Sequence, residues 1–280
     1  MLALIIATVF NAGFGIVVRD AQRRGLDLLT VGLVNYIVAA GFYALWSSAG
    51  DRNAGDARTA LIGTIGGVIY AAGFLLMLGP LRWRGLGVVA ALVGLSVTVP
   101  MTASLVVWHE RLLGVHAAGA ALALLAIPLL SLDRGAGHQA LTALMAVGLA
   151  ALFLINGSGL LVQKWYHTTG LAAQRPLFLT YLFGVAALAM VAVWAARSRR
   201  MPAASVGSGA VLGVCNIVAN LALLAALDRL PGAAVFPVMQ AGVMIVAAGF
   251  AAVAWREKPG RLGTLGISIA AAAVVMINLA

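Results

Sequence analysis

The chain has 280 residues, a formal net charge of +10 and a mean hydropathy of +1.05, with 63% apolar and 9% charged residues. Soluble domains carry about a quarter charged residues, so this composition excludes a water-soluble globular fold. The basic residues stand singly or in threes between apolar runs, as at Arg197, Arg199 and Arg200, which excludes a nucleic-acid-binding patch and fits charges anchoring helix ends at lipid headgroups.

The apolar runs are about twenty residues long, the length a helix needs to cross roughly 30 Å of hydrocarbon. No water is available at that depth, so backbone groups must pair within each segment, and the runs are read as helices. The strand alternative needs two-residue alternation over about ten residues, which is absent. The expected fold is an all-α polytopic membrane protein with ten spans, near 2–18, 27–47, 58–79, 86–107, 112–132, 139–164, 173–196, 205–227, 231–254 and 261–279. The first begins without a basic n-region and is read as a span, not a cleaved signal peptide. Cys215 is the only cysteine and lies inside an apolar run, so neither a disulfide framework nor a metal cluster is expected.

In chain order, span one carries Asn11 and the pair Gly13 and Gly15, and span two carries Asn35-Tyr36. Span three holds Gly63 and Gly67, whose spacing lets helix backbones approach closely, and Tyr70 near its middle. Span four ends in a short charged hinge with Trp108 and Glu110, and span five contains Gly119. The second half repeats this. Gly157 and Gly159 in span six are matched to Gly13 and Gly15, and Thr180-Tyr181 to Asn35-Tyr36. Gly209 and Gly213 stand 146 residues after Gly63 and Gly67. Trp255, Glu257 and Gly266 stand 147 residues after Trp108, Glu110 and Gly119. Five spans is an odd number, so the halves, 1–135 and 136–280, are expected to lie in opposite orientations within one membrane domain. In such inverted repeats, sites tend to lie near the midplane between halves.

Ten spans in two five-helix halves, each closing with a Glu hinge and a Gly-rich last span, resemble the EamA-type drug/metabolite transporter superfamily. The stretches from Asn35 to Ala39, Gly213 to Asn216 and Phe236-Pro237-Val238 are similar to those of bacterial members. The resemblance implies a secondary carrier of the bacterial inner membrane working by alternating access. Its cavity would be lined mainly by spans one, three, four, six, eight and nine, and both termini would be cytoplasmic. The charges point the other way. Twelve basic residues fall on the side of the 1–2 connection (Arg19, Arg23, Arg24, Arg82, Arg84, Arg134, Arg197, Arg199, Arg200, Arg256, Lys258, Arg261) and six on the other, which places both termini outside.

No Asp, Glu, Lys or Arg falls near the middle of any run. A charge kept there usually marks an ion or proton path. Its absence favours a neutral or zwitterionic substrate, and together with the inverted repeat the expectation is export of a small polar, amino-acid-like compound. The candidate binding residues are the mid-span polar groups Asn11, Tyr70, Asn156, Ser158, Asn216, Asn220 and Gln240. Pro100 and Pro237 each remove a backbone donor, freeing carbonyls four residues earlier, so Ser96 and the Pro237 kink join the set. Glu110 and Glu257 are candidate gate residues, pairing with Arg111, Lys258 or a loop arginine. Gly63, Gly67, Gly209 and Gly213 are candidate helix-packing positions. His109, His116, His138 and His167 share no metal-ligand spacing, and no hydrolase or P-loop motif occurs, so no enzyme activity, metal or cofactor is expected. The expected partners are the substrate and the bilayer, with the chain a monomer or weak homodimer. The rival readings are an accessory or scaffold subunit, and a lipid-flipping carrier on the same fold.

Overall fold

The computed structural model describes residues 2–49, 56–83, 93–110, 114–132, 143–170, 172–197, 201–254, 256 and 260–278. The elements are α1 (Leu2–Arg23), α2 (Leu28–Ala49), α3 (Ala57–Trp83), α4 (Thr98–Val106), α5 (Gly114–Leu132), α6 (Ala143–Thr169), a 3-10 turn (Ala172–Gln174), α7 (Arg175–Arg197), α8 (Ala203–Leu227), α9 (Gly232–Ala254) and α10 (Arg261–Asn278). No strand occurs among the described residues, and seven of the helices are long and apolar enough to cross a membrane. Large apolar side chains stand on the outside, with Val253 84%, Leu45 74% and Leu188 70% exposed. Water would penalise that surface and lipid does not. This is a polytopic membrane protein.

Span four departs from the expected continuous run of 86–107. Within the described residues it is a short helical piece from Val93, a turn at Ser96 and Val97, and then α4. Pro100 lies in the first turn of α4, where its missing N–H costs nothing, so the chain restarts its helix there instead of bending one. The Ser96 carbonyl is therefore not freed. It accepts the Val99 N–H at 3.1 Å.

The helix directions follow from paired contacts. Asp27, at the start of α2, caps that helix through bonds from the Leu29 and Thr30 backbone N–H groups, and its own N–H donates to Ser205 Oγ at the start of α8. Further along, a Cβ on Gly209 would lie 2.7 Å from the Val31 carbonyl oxygen, and one on Gly213 3.0 Å from that of Asn35. Thus α2 and α8 run parallel in near backbone contact. The same ladder joins α3 to α7. Thr59 Oγ1 donates to Gln174 Oε1 at 2.7 Å, a Cβ on Gly63 would lie 2.8 Å from the Phe178 carbonyl oxygen, and one on Gly67 2.5 Å from that of Leu182. Every α3 position maps to α8 by adding 146, and every α7 position to α2 by subtracting 147. By contrast α2 and α7 run antiparallel, with Thr180 Oγ1 donating to Ser47 Oγ and Tyr43 stacked on Phe183 at 5.6 Å.

The same register corrects two matches made on sequence identity. Gly159 meets the side chains of Ile69 and Tyr70, and Gly13 meets Cys215, 146 residues beyond Ile69. Gly13 is thus the counterpart of Gly159, not of Gly157. Likewise Asn35 answers to Leu182, two residues beyond Thr180. Nearly all the extensive helix pairings join an element of 1–135 to one of 136–280, including α5 with α10, where Gly119 and Gly266 are both buried.

The hinge after span four also recurs in geometry. His109 and Arg256, 147 residues apart, are the two non-glycine residues with positive φ among the described residues, at 50° and 55°. L-residues are uncommon there. Glu257 lies outside the described residues, as does the 133–142 connection.

Candidate functional site

A cavity of about 190 Å³ lies between α1, α3, α6, α8, α9 and the piece preceding α4. Asn11 lines it from α1, Tyr70 from α3, Ser96 from the turn before α4 and Asn156 from α6. Asn216 and Asn220 line it from α8, and Gln240 from α9. Tyr70, Asn156 and Asn216 stand at or next to the midpoints of their helices. Along α3 the lining runs from Ile69 to Met77, about 12 Å at 1.5 Å per residue.

Ser158 and Pro237 do not line the cavity. On α6 the lining face is Asn156, Gly159 and Gln163, spaced i, i+3, i+7, and Ser158 is rotated away from it. Pro237 lies a turn nearer the start of α9 than Gln240 and is buried. Ala233, whose carbonyl Pro237 leaves without its usual donor, is fully buried and also outside the lining.

One wall is a continuous hydrogen-bonded network. Gln163 Nε2 donates to Tyr70 Oη at 2.9 Å and also to Asn220 Oδ1. Tyr70 Oη donates to Asn220 Oδ1 at 2.9 Å, while Tyr36 Oη donates to the Tyr70 carbonyl at 2.9 Å. Asn220 Nδ2 donates to Asn216 Oδ1 at 2.7 Å and to its carbonyl at 2.8 Å, and Asn216 Nδ2 donates to Asn35 Oδ1 at 3.2 Å. The network ties α2, α3, α6 and α8 together. Two of its atoms, Gln163 Oε1 and Asn35 Nδ2, are buried without a partner.

The sequence reading did not single out Gln163 or Asn35 as site residues. It also placed Lys164 at a helix end among loop charges. The helix continues to Thr169, so Lys164 is 3% exposed and stands next to a cavity residue. Its Nζ pairs with Glu110 Oε1 and lies 6.0 Å from the centre of the Trp108 ring. The other carboxylate oxygen of Glu110 accepts the Ala233 N–H at 3.0 Å. Glu110 therefore sits at the positive N-terminus of α9 and bridges it to α6. Among the described residues the ion-pair partner of Glu110 is Lys164, which the sequence expectation did not name, and the helix start it meets is that of α9. Burial pushes the Glu110 carboxyl up, but the bonds from Lys164 and from the Ala233 and Gly232 backbone hold it below the ordinary carboxylate range.

The same end of the bundle carries a second ion cluster. Arg175, at the start of α7, grips Asp228 with both terminal nitrogens, one at 2.7 Å, and His167 Nε2 lies 3.1 Å from the same carboxylate. The Arg175 bonds hold the Asp228 carboxyl below its usual value. These contacts fasten the ends of α6, α7 and α8 around the Glu110 pair. Among the described residues no group of histidines, cysteines or carboxylates is arranged to hold a metal.

No known family model matches the chain, and no curated protein does. Among solved structures it is similar to one described only as "Crystal structure of protein", at 13% identity with a TM-score of 0.78, covering 100% of this chain and 99% of the other. The likeness extends over the whole fold and carries nothing about activity.

Proposed function

We propose that this protein is a ten-span secondary carrier with two inverted five-helix halves, moving a small polar metabolite through a central site by alternating access. The observation that carries the reading is the cavity at the helix midpoints, walled by amides, with the Glu110–Lys164 bridge to α9 one residue along α6 from the lining residue Gln163. Midplane sites between repeats, beside interrupted helices and helix N-termini, are the usual arrangement in such carriers. The exchange of α3·α7 contacts for α8·α2 contacts supports the repeat, and the antiparallel course of α2 and α7 supports its inversion. The EamA-type resemblance supports the same class and an inner-membrane location.

In this mechanism Glu110 and Lys164 form the gate on one face. Releasing them frees α9 from α6 and opens that end, while the piece before α4 moves against α6 to close the other. Counterflow into proteoliposomes tests the reading with a panel of amino acids, nucleosides, sugars and small amides. Exchange of at least one compound, at a rate changed when the gate is released by the double variant Glu110→Gln, Lys164→Met, is the expected result. If no compound exchanges, the reading fails.

A further inference from the structure

In the amide wall the side-chain donors of Gln163, Tyr70, Asn216 and Asn220, which line the cavity, are engaged inside the protein, while the unpartnered donor Asn35 Nδ2 belongs to a residue outside the lining. Gln163 Nε2, Tyr70 Oη and Asn220 Nδ2 point at one another or at Asn216, and Asn216 Nδ2 is held by Asn35. Asn156 Nδ2 donates to the Leu152 carbonyl at 3.0 Å, and Asn11 Nδ2 to Met239 Sδ at 3.7 Å. Gln163, a lining residue that is fully buried, carries an acceptor, Oε1, with no partner. Leaving such a group unsatisfied is costly, and a ligand donor would recover that cost. Most of the remaining lining is apolar or aromatic, with Phe14, Phe74, Met77, Val93 and Leu160, and Gln240 adds a further amide from α9.

Charge narrows the ligand further. None of the lining residues is charged, and the nearest lysine in sequence, Lys164, is committed to Glu110. A carboxylate entering the cavity would find no cation, and an ammonium would find no carboxylate. Either would lose its hydration without compensation. The amino-acid-like zwitterion expected from the sequence would suffer both losses.

We infer that the cavity takes a small neutral ligand with an apolar body and an N–H or O–H donor, such as a primary amide, and that Gln163 Oε1 is the acceptor that selects it. This rests on the carrier reading and specifies its substrate class. The test measures binding to the purified full-length chain in detergent, using three compounds of one shape: 3-phenylpropanamide, 3-phenylpropanoate and 3-phenylpropylammonium. The amide should bind at least tenfold tighter than either ion. Gln163→Leu should lose at least tenfold in amide affinity. Gln163→Glu, which keeps the acceptor and adds charge, should move the preference toward the ammonium by tenfold or more, a change that a merely structural role would not produce. Equal binding of the three compounds overturns the inference, as does an unchanged preference in Gln163→Glu, and either leaves the carrier reading standing. No binding by any of them also overturns it, and the carrier reading falls as well only if counterflow is absent.

Discussion

At the scale of single residues, the least expected feature is a buried ion pair in a chain with almost no charge in its apolar runs. Removing one partner of a buried pair leaves the other uncompensated, whereas removing both is close to neutral. Glu110→Gln should therefore destabilise the protein by about 3 kcal/mol, the lower end of the usual range because the Glu110 side chain keeps 16% exposure. The double variant Glu110→Gln, Lys164→Met should recover most of the loss, and thermal unfolding in detergent reads both. The sign with pH follows from the depressed carboxyl. Its contribution is complete above the ordinary carboxylate value of about 4.3 and is lost only as pH falls through the lower folded value. The Glu110–Lys164 bridge should thus hold unchanged from neutral to mildly acidic pH, and unfolding followed against pH checks this.

Asn216 gives a second residue-level expectation. Its side chain accepts from Asn220 and donates to Asn35, and hydrogen bonds between membrane helices average about 0.6 kcal/mol each. Asn216→Ala should cost about 1–2 kcal/mol, and Asn11→Ala, whose side-chain bond is a long contact to sulfur, much less. The same thermal measurement separates them. Asn216 and Asn220 were legible in the sequence because strong polar groups in mid-run have few innocuous explanations. Gln163 and Lys164 are not, because they stand at the very end of the apolar run and the last turn of α6 beyond them is polar in composition. The i, i+3, i+7 spacing of Asn156, Gly159 and Gln163 was the signal available.

At the scale of elements, the glycine spacing of α3 and α8 was visible in the sequence, but the helices they meet were not. Spacing reports that a face is flat and says nothing about who lies on it. Alanine at Gly63, Gly67, Gly209 or Gly213 would place its Cβ between 2.5 and 3.0 Å from backbone atoms of α7 or α2. Overpacking of this kind costs about 1–3 kcal/mol. Losses at Gly63 and Gly209 should be comparable, since their surroundings correspond position by position. Gly41 and Gly184, which have nothing within 4 Å of a Cβ, should accept alanine without loss. Ranking the six variants by melting temperature checks the pattern. The two-residue slips in the sequence alignment have a related cause. Gly-x-Gly recurs cheaply in apolar helices, so identity chose a register that backbone contact then decided otherwise.

At the scale of the whole molecule, membrane residence and helical class followed from composition alone, because lipid leaves a chain of this kind no other course. Orientation did not, since the charge count and the EamA-type resemblance disagree. With the ten spans proposed, reporters fused before Met1 and after Ala280 should respond from the same compartment, and the side on which they respond selects between the two. The traffic of contacts between 1–135 and 136–280 has one more consequence. Among the described residues most of the helix packing of each stretch is against the other, so each behaves less like a domain than like one strand of a zip. A gene divided within the 133–142 connection should yield two pieces that the cell clears when made singly. Made together they should survive and co-purify as one particle.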